Sequence, residues 1–299
     1  MNISETIELL KDVNRKVAKI ALENITYVYG QGTPYEIKAL DDVSVEIKEG
    51  LITGIIGHTG SGKSTFVQLL NGLERATSGR VIIDGKDIWA NPKEISKYRF
   101  KVGLVMQYPE YQLFEETIKG DIAYGPKNMG LSEEEIEERI SMAADFVGLD
   151  VSLLEKSPFD LSGGQKRRAA IAGIIAMKPD VLVLDEPAAG LDPMGRDEIF
   201  DSILKYRNET GATVIIVSHS MEDMARLCDE LIVMAHSKVV MQGNCGDVFS
   251  NAQRLEEIGL AIPQITKLML SLKERGLDVD GGIYTVKDAA RAISELIRR

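Results

Sequence analysis

Apolar residues recur along this chain with two different periods, and their order outlines an α/β protein. Ile3, Ile7, Leu10, Val13, Val17 and Ile20 stand three or four apart, which predicts an amphipathic helical extension over 1–17. Such a helix either covers its own domain or offers a face to a partner. Ile25–Tyr29 and Val43–Ile47 then read as strands, the second with clear alternation. Val81–Ile83 and Lys86–Ile88 flank Asp84-Gly85, a two-residue hairpin signal, so an antiparallel layer is expected early in the chain. Short apolar runs mark a second kind of strand, buried on both faces: Leu51–Ile56, Val102–Met106, Val181–Leu184, Thr213–Val217 and Leu231–Met234.

Helical spacing fills the interval from about Glu116 to Phe159. Within it Ser132 and Glu135 form a capping box before Ile136, Ile140, Ala143 and Val147, and Gly148 closes the helix. Another helix is expected from about Gln165 to Met177. Together these patterns predict a parallel-sheet core interrupted by a helical insertion. From about Gly246 the texture turns helical, with one extended piece near Ile283-Tyr284 and a last helix capped by Thr285 and Asp288. The expected organisation is the extension at 1–17, a main domain at 18–245 with a helical subdomain at about 108–160, and a small α-rich C-terminal domain at 246–299 that carries dimer contacts.

Composition narrows the classes. The 299 residues suffice for a sizeable core in one large or two smaller domains. Acidic residues outnumber basic ones 46 to 35, a net charge of −11, which argues against nonspecific nucleic-acid binding. Cys228 and Cys245 alone make neither a disulfide framework nor a Cys-rich metal site, and suit a reducing cytoplasm. Glu5, Glu8, Lys11, Asp12, Arg15 and Lys16 interrupt the first twenty residues, so they form neither a signal peptide nor a membrane span. No later run reaches about 18 apolar residues. Work at a membrane would require a spanning partner.

The chemistry centres on Gly57-His58-Thr59-Gly60-Ser61-Gly62-Lys63-Ser64-Thr65, which fits the phosphate-binding pattern G-x-x-x-x-G-K-[ST] between a predicted strand and a predicted helix. Glycines let backbone N–H groups close around phosphate oxygens, and the helix N-terminus adds positive potential. Lys63 is expected on the β and γ phosphates of a nucleoside triphosphate, and Ser64 on Mg²⁺. Asp185 and Glu186 follow an apolar strand, at the end where open α/β sheets deliver ligand contacts. Asp185 suits the Mg²⁺ shell and Glu186 the general base, although adjacent acids also occur in ordinary turns. Ser162, Gly163, Gly164 and Gln165 open a helix and make a second anion-binding end, a hint that the nucleotide is held between two chains. Lys166, Arg167 and Arg168 behind it read as a solvated basic face.

In the order Gly57–Thr65, Gln107, Leu161–Gln165, Val181–Glu186, Leu191-Asp192 and Ser218-His219, the chain resembles the ATP-binding cassette (ABC) ATPases over about residues 20–245. The resemblance implies a P-loop NTPase fold with a RecA-like core, and a head-to-tail dimer holding two ATPs. It implies that Gln107 senses the γ-phosphate and Mg²⁺, that His219 contacts the γ-phosphate and positions water, and that Asp192 links the two sites. The adenine-stacking aromatic falls on Tyr29 or on Tyr35.

Tyr29–Glu36, Gln107–Phe114 and Ala188–Pro193, with Ile262–Thr266 and Ile283–Val286 in the tail, are similar to the ATPases of energy-coupling factor (ECF) transporters. They are closest in kind to the second member of the shared ATPase pair. The extension at 1–17 and Met106, where phenylalanine is common, depart from that family. What the resemblance implies is ATP-driven import of a vitamin or other micronutrient from the cytoplasmic face of the membrane. The partners would be a second related ATPase, a transmembrane coupling protein and a substrate-binding membrane subunit. Aromatics and the acids Glu110, Glu115 and Glu116 make Gln107–Glu116 the expected docking segment, with arginines of the coupling protein as counterparts. The other reading of that segment is core aromatics with solvated acids.

Other classes fit less well. A chromosome-organising ABC ATPase needs a long coiled coil where only 53 residues separate Gln107 from Leu161. A two-cassette translation factor needs a repeated phosphate loop, and a small-molecule kinase lacks Leu161–Gln165. Within transport, a homodimeric cobalt or nickel importer ATPase is the nearest alternative.

Overall fold

A computed structural model describes residues 18–298, and the helix expected at 1–17 lies outside them. The chain begins with β1 (Ala18–Tyr29) and β2 (Ile37–Lys48), an antiparallel pair, followed by β3 (Ile52–Gly57), α1 (Lys63–Leu70), β4 (Ser78–Ile83) and β5 (Lys86–Asp87). Strands β2-β1-β4-β5 form one four-stranded antiparallel sheet. The Asp84-Gly85 turn joins its last two strands, both residues at positive φ as a tight hairpin requires.

After α2 (Ile95–Lys101) and β6 (Val102–Val105) comes the helical insertion, α3 (Ile118–Asn128) and α4 (Glu133–Phe146). The Ser132/Glu135 capping box is present at α4. The chain returns through α5 (Gly163–Ile175), β7 (Val181–Asp185), α6 (Pro193–Thr210), β8 (Thr213–Val217), α7 (Met221–Leu227), β9 (Glu230–Ala235) and β10 (Lys238–Asn244). The second sheet runs β10-β9-β3-β8-β7-β6, with β10 antiparallel to β9 and the other pairs parallel.

Its parallel strands are almost wholly apolar runs because both faces are covered, whereas the edge strand β10 is polar and partly exposed. Ile55, Val183, Ile215 and Ile232 point into a core shared with Phe66 and Leu69 of α1 and Leu22 and Leu40 of the antiparallel sheet. Their neighbours Ile56, Leu184, Ile216 and Val233 point into a second core with Ile171 and Ile175 of α5 and Phe200 of α6. The register sets Ile55 beside Val217 and Val217 beside Asp185, so the carboxyl ends of β3, β8 and β7 finish side by side.

The tail adds α8 (Cys245–Ser250), α9 (Ala252–Glu257), α10 (Gln264–Glu274) and α11 (Val286–Arg298). Its first part shares the main core: Cys245, Val248, Phe249, Leu255, Leu260 and Ile262 belong to the same cluster as the parallel sheet. The change of texture at Gly246 is therefore not a gap in packing. The extended piece expected at Ile283-Tyr284 is not a strand; the Tyr284 ring packs 5.7 Å from that of Phe249 instead. Thr285 and Asp288 do cap α11, with the Asp288 N–H donating to Thr285 Oγ1 at 3.2 Å.

Candidate active site

Between β3 and α1 the chain makes the turn that the glycines at 57, 60 and 62 permit. Gly62 sits at φ 102, and a Cβ there would lie 2.4 Å from the Ala39 carbonyl oxygen, so no other residue fits without moving β2. The Lys63 ammonium is buried and donates to the carbonyls of Gly57 at 2.7 Å and His58 at 3.0 Å. Burial lowers its pKa, against the opposing pull of Glu186 and Asp185. Ser61 Oγ and His58 Nε2 are buried without a hydrogen-bond partner.

The end of β7 brings both predicted carboxylates to this loop. Asp185 Oδ2 accepts from Ser64 Oγ at 3.0 Å. Burial raises the Asp185 pKa, and the Ser64 hydrogen bond and the Lys63 charge oppose it. Glu186 adopts φ 51, a left-handed conformation uncommon outside glycine, and its backbone N–H donates to Val217 O at 3.0 Å. Its carboxylate Oε1 lies 3.2 Å from His219 Nε2. Burial first, and then repulsion from Asp185, pushes Glu186 from 4.5 to about 7. The His219 pKa is lowered, by burial and then by Lys63. An attractive ion pair would shift both groups the other way, so desolvation outweighs their mutual attraction and favours the neutral forms.

These groups line one cleft of about 420 Å³, together with Gln107, Tyr29, Thr59, Gly60, Gly62 and Thr65. Tyr29 donates or accepts at Thr65 Oγ1, 3.1 Å away, whereas Tyr35 is 84% exposed and outside the cleft. Ile37, Lys38 and Ala39 also line the cleft. They were not singled out from the sequence, because a strand edge beside a ligand has the same alternation as one beside solvent.

Ser162, Gly163, Gly164 and Gln165 do not line the cleft. Ser162 instead caps α5, accepting from Gln165 N at 3.3 Å while Gln165 Oε1 accepts from Ser162 N at 2.9 Å. The cap starts α5 two residues before the expected Gln165. A Cβ on Gly163 or Gly164 would meet nothing within 4 Å, so this end is open. Asp192 is likewise outside the cleft and caps α6, accepting from Gly195 N at 2.7 Å.

The residues fit a magnesium-bound triphosphate. Open space at Gly60, the N-terminus of α1 and the buried Lys63 cation suit phosphate oxygens, whereas the Ser61 hydroxyl is fully buried and, like Gly57 and His58, does not line the cleft. A hydroxyl and a carboxylate suit a hard cation. Among the described residues no cluster of three His, Cys, Asp or Glu side chains forms a metal cage.

A second, apolar groove of about 340 Å³ lies beside the expected docking segment, lined by Leu113, Phe114, Tyr124, Gly173 and Met177 among others. Phe114 is 65% exposed and packs edge-on to Tyr124 at 4.9 Å. Two expectations about its charges change. Glu110 is engaged within the chain, by a forked pair with Arg167. The basic run behind Gln165 is not a solvated face: Arg167 is buried and Arg168 pairs with Glu198 at 2.5 Å. The pairing joins positions 57 residues apart, and no local period announces it.

Comparison with known proteins gives the family and the fold. The ABC transporter family model matches residues 40–189. The chain is 55% identical over 278 residues to the energy-coupling factor transporter ATP-binding protein EcfA2 of Clostridium tetani, covering 93% of this chain and 96% of that protein. It is 52% identical over 280 residues to the protein of the same description from Clostridium perfringens, covering 93% and 98%. Among solved structures, cbiO1 from Clostridium perfringens, part of the ABC transporter complex cbiONQ, superposes with TM-score 0.71 at 39% identity, covering 85% of this chain and 99% of that one. The dimeric ATP-binding cassette MJ0796 in a post-hydrolysis state, bound to ADP and Pi, superposes with TM-score 0.68 at 30% identity, covering 75% and 98%.

Proposed function

The chain belongs to the ABC transporter family, among the ATP-binding proteins of energy-coupling factor transporters, and from that premise we propose how its residues hydrolyse ATP and drive uptake. It is the ATPase motor of an ECF-type importer. The observation that carries the residue roles is the convergence of an ammonium, a hydroxyl, two carboxylates, an amide and an imidazole on one cleft.

Bound ATP supplies the phosphoanhydride bond to be broken, and Mg²⁺ the positive charge beside its oxygens. Gly57 to Thr65, with His58, Thr59, Gly60, Ser61 and Gly62, form the phosphate cradle. Lys63 neutralises the β and γ phosphates. Ser64, Asp185 and Gln107 would hold the cation, and Tyr29 would take the base. Glu186 accepts the proton of the attacking water, while His219 orients that water.

Ser162–Gln165 and Asp192 complete the site of a second chain in a head-to-tail dimer. Their absence from their own chain's cleft supports this reading, as does the dimeric cassette among the similar structures. The second chain is a related ATPase, and the tail at 246–299 adds contacts between the two. The second reading is a homodimer serving a cobalt or nickel importer.

The motor sits peripherally on the cytoplasmic face, held by its membrane partners; among the described residues no helix is long and apolar enough to cross a membrane. The transported substrate is a vitamin or other micronutrient, selected by a membrane subunit. The coupling protein seats an apolar segment in the groove beside Phe114, and its arginines meet Glu115 and Glu116, the next two residues of the docking segment. Reversing both acids to Lys is expected to abolish co-purification with the membrane subunits while ATP binding persists; intact assembly overturns the docking site.

Affinity purification from detergent-solubilised native membranes, with mass spectrometry, tests the assembly. A second cassette ATPase with a multispanning protein is expected. This chain with a single set of metal-transport membrane proteins favours the homodimer, and recovery without any membrane protein removes the transport reading.

The Glu186 pKa of about 7 sets the pH dependence. Only the carboxylate accepts a proton, and the value is that of the nucleotide-free chain, so kcat/KM falls about tenfold per unit below pH 7 and levels off above it. A flat kcat/KM profile between about pH 5.5 and 8 removes Glu186 as the titrating base.

A further inference from the structure

We propose that Arg167 is a positioning residue that ties the docking segment to the backbone directly behind Glu186. Its side chain is 3% exposed, and it sits on α5, the helix that Ser162 caps. The guanidinium reaches three segments at once. Nε and Nη2 donate to the two carboxylate oxygens of Glu110 at 3.0 and 2.8 Å, within the Pro109–Gln112 turn. Nη1 donates to the carbonyls of Pro187 at 3.3 Å and Ala189 at 2.5 Å.

Those carbonyls belong to the turn that begins with Glu186. Its own closure is slight: Ala189 N donates to Glu186 O at 3.1 Å, and Gly190 takes φ 76. The backbone N–H of Glu186 is held on the opposite side by Val217 of β8. The left-handed Glu186 is thus fixed from the sheet on one side and, through Pro187, from Arg167 on the other.

A buried guanidinium is tolerated only while its donors and its counter-charge stay in place, because a lone buried charge is strongly unfavourable. The forked bond to Glu110 and the two carbonyl bonds use planar geometry that an ammonium lacks. Movement of the Glu110 turn, where the coupling protein docks, therefore either carries Arg167 and the Glu186 turn with it or breaks the pair. The arrangement gives docking a direct mechanical route to the general base, and α5 moves as the third member.

The inference rests on Glu186 as the base, and the experiment separates the two. The assembled transporter is reconstituted in vesicles with Arg167→Lys, Arg167→Ala, Glu110→Gln or, as control, Glu186→Gln. Initial rates are measured against ATP concentration, and nucleotide binding counts the folded sites. Arg167→Lys keeps the charge and loses the fork. Its kcat per binding site is expected to fall about tenfold or more, with the ATP KM within about twofold of wild type. Glu110→Gln is expected to lower kcat in the same sense with KM again unchanged.

Wild-type kcat per site in Arg167→Lys overturns the proposal. So does a loss of activity in both variants that tracks only the loss of folded sites, since that is the behaviour of a scaffold pair. If Arg167→Ala does not fold, the lysine and glutamine variants decide. Full turnover by Glu186→Gln removes the base itself, and the positioning role falls with it.

Discussion

Glu186→Gln in the assembled transporter is expected to lower kcat about a thousandfold while ATP still binds. Glutamine preserves the shape of the side chain at the end of β7 but accepts no proton. Lys63, Ser64 and Asp185, which contact one another or the loop backbone, are untouched. The measurement is single-site turnover alongside fluorescent-nucleotide binding. Because a partner ATPase contributes its own composite site, both sites must be followed. Wild-type-like turnover at the substituted site sinks the assignment.

The same variant carries a stability signature of opposite sign. Glu186 titrates at about 7 in the folded chain, against an ordinary 4.5. Between those values the native state holds the extra proton, so stability is lost as pH rises from about 4.5 through 7. Glutamine never ionises. The nucleotide-free variant is therefore expected to melt above wild type at pH 8, with the gap closing as pH falls below the native pKa. A gap that does not change between pH 5 and 8 contradicts a raised Glu186 pKa.

Lys63→Met is expected to weaken ATP binding about 10- to 100-fold and to reduce turnover to background. Methionine approximates the aliphatic stem while removing the ammonium that bonds the Gly57 and His58 carbonyls. The phosphate cradle then loses both its buried cation and two of the contacts that hold its curve. Isothermal titration with ATP and with an uncharged adenosine analogue separates these effects. Only the phosphate-bearing ligand loses affinity if the charge is responsible, and equal loss for both points to collapse of the cleft.

The parts of this protein that could be read along the chain are those whose physics is local. Gly57–Thr65 is legible because close backbone approach to phosphate admits few residue types. Val181–Leu184 and Thr213–Val217 announce buried strands because both of their faces are covered. The Ser132/Glu135 box closes within one helical turn, and the same spacing recurs at Ser162 and Gln165. The layering into an antiparallel sheet, a parallel core and a helical insertion, and the family, followed from the succession of such pieces, whereas the strand order did not.

What escaped depends on residues far apart in the chain. Arg167 sits in a basic run and reads as solvent-facing until folding brings Glu110 and the Pro187 and Ala189 carbonyls around it. Tyr35 stands as the alternative to Tyr29 until the turn between β1 and β2 leaves Tyr29 in the cleft and Tyr35 in solvent. The raised pKa of Glu186 is written in no motif, since it comes from burial and from the neighbouring Asp185. Local periodicity and steric necessity thus specified the elements and the phosphate loop, whereas charge pairing, solvent exclusion and proton affinity arose only when the elements packed.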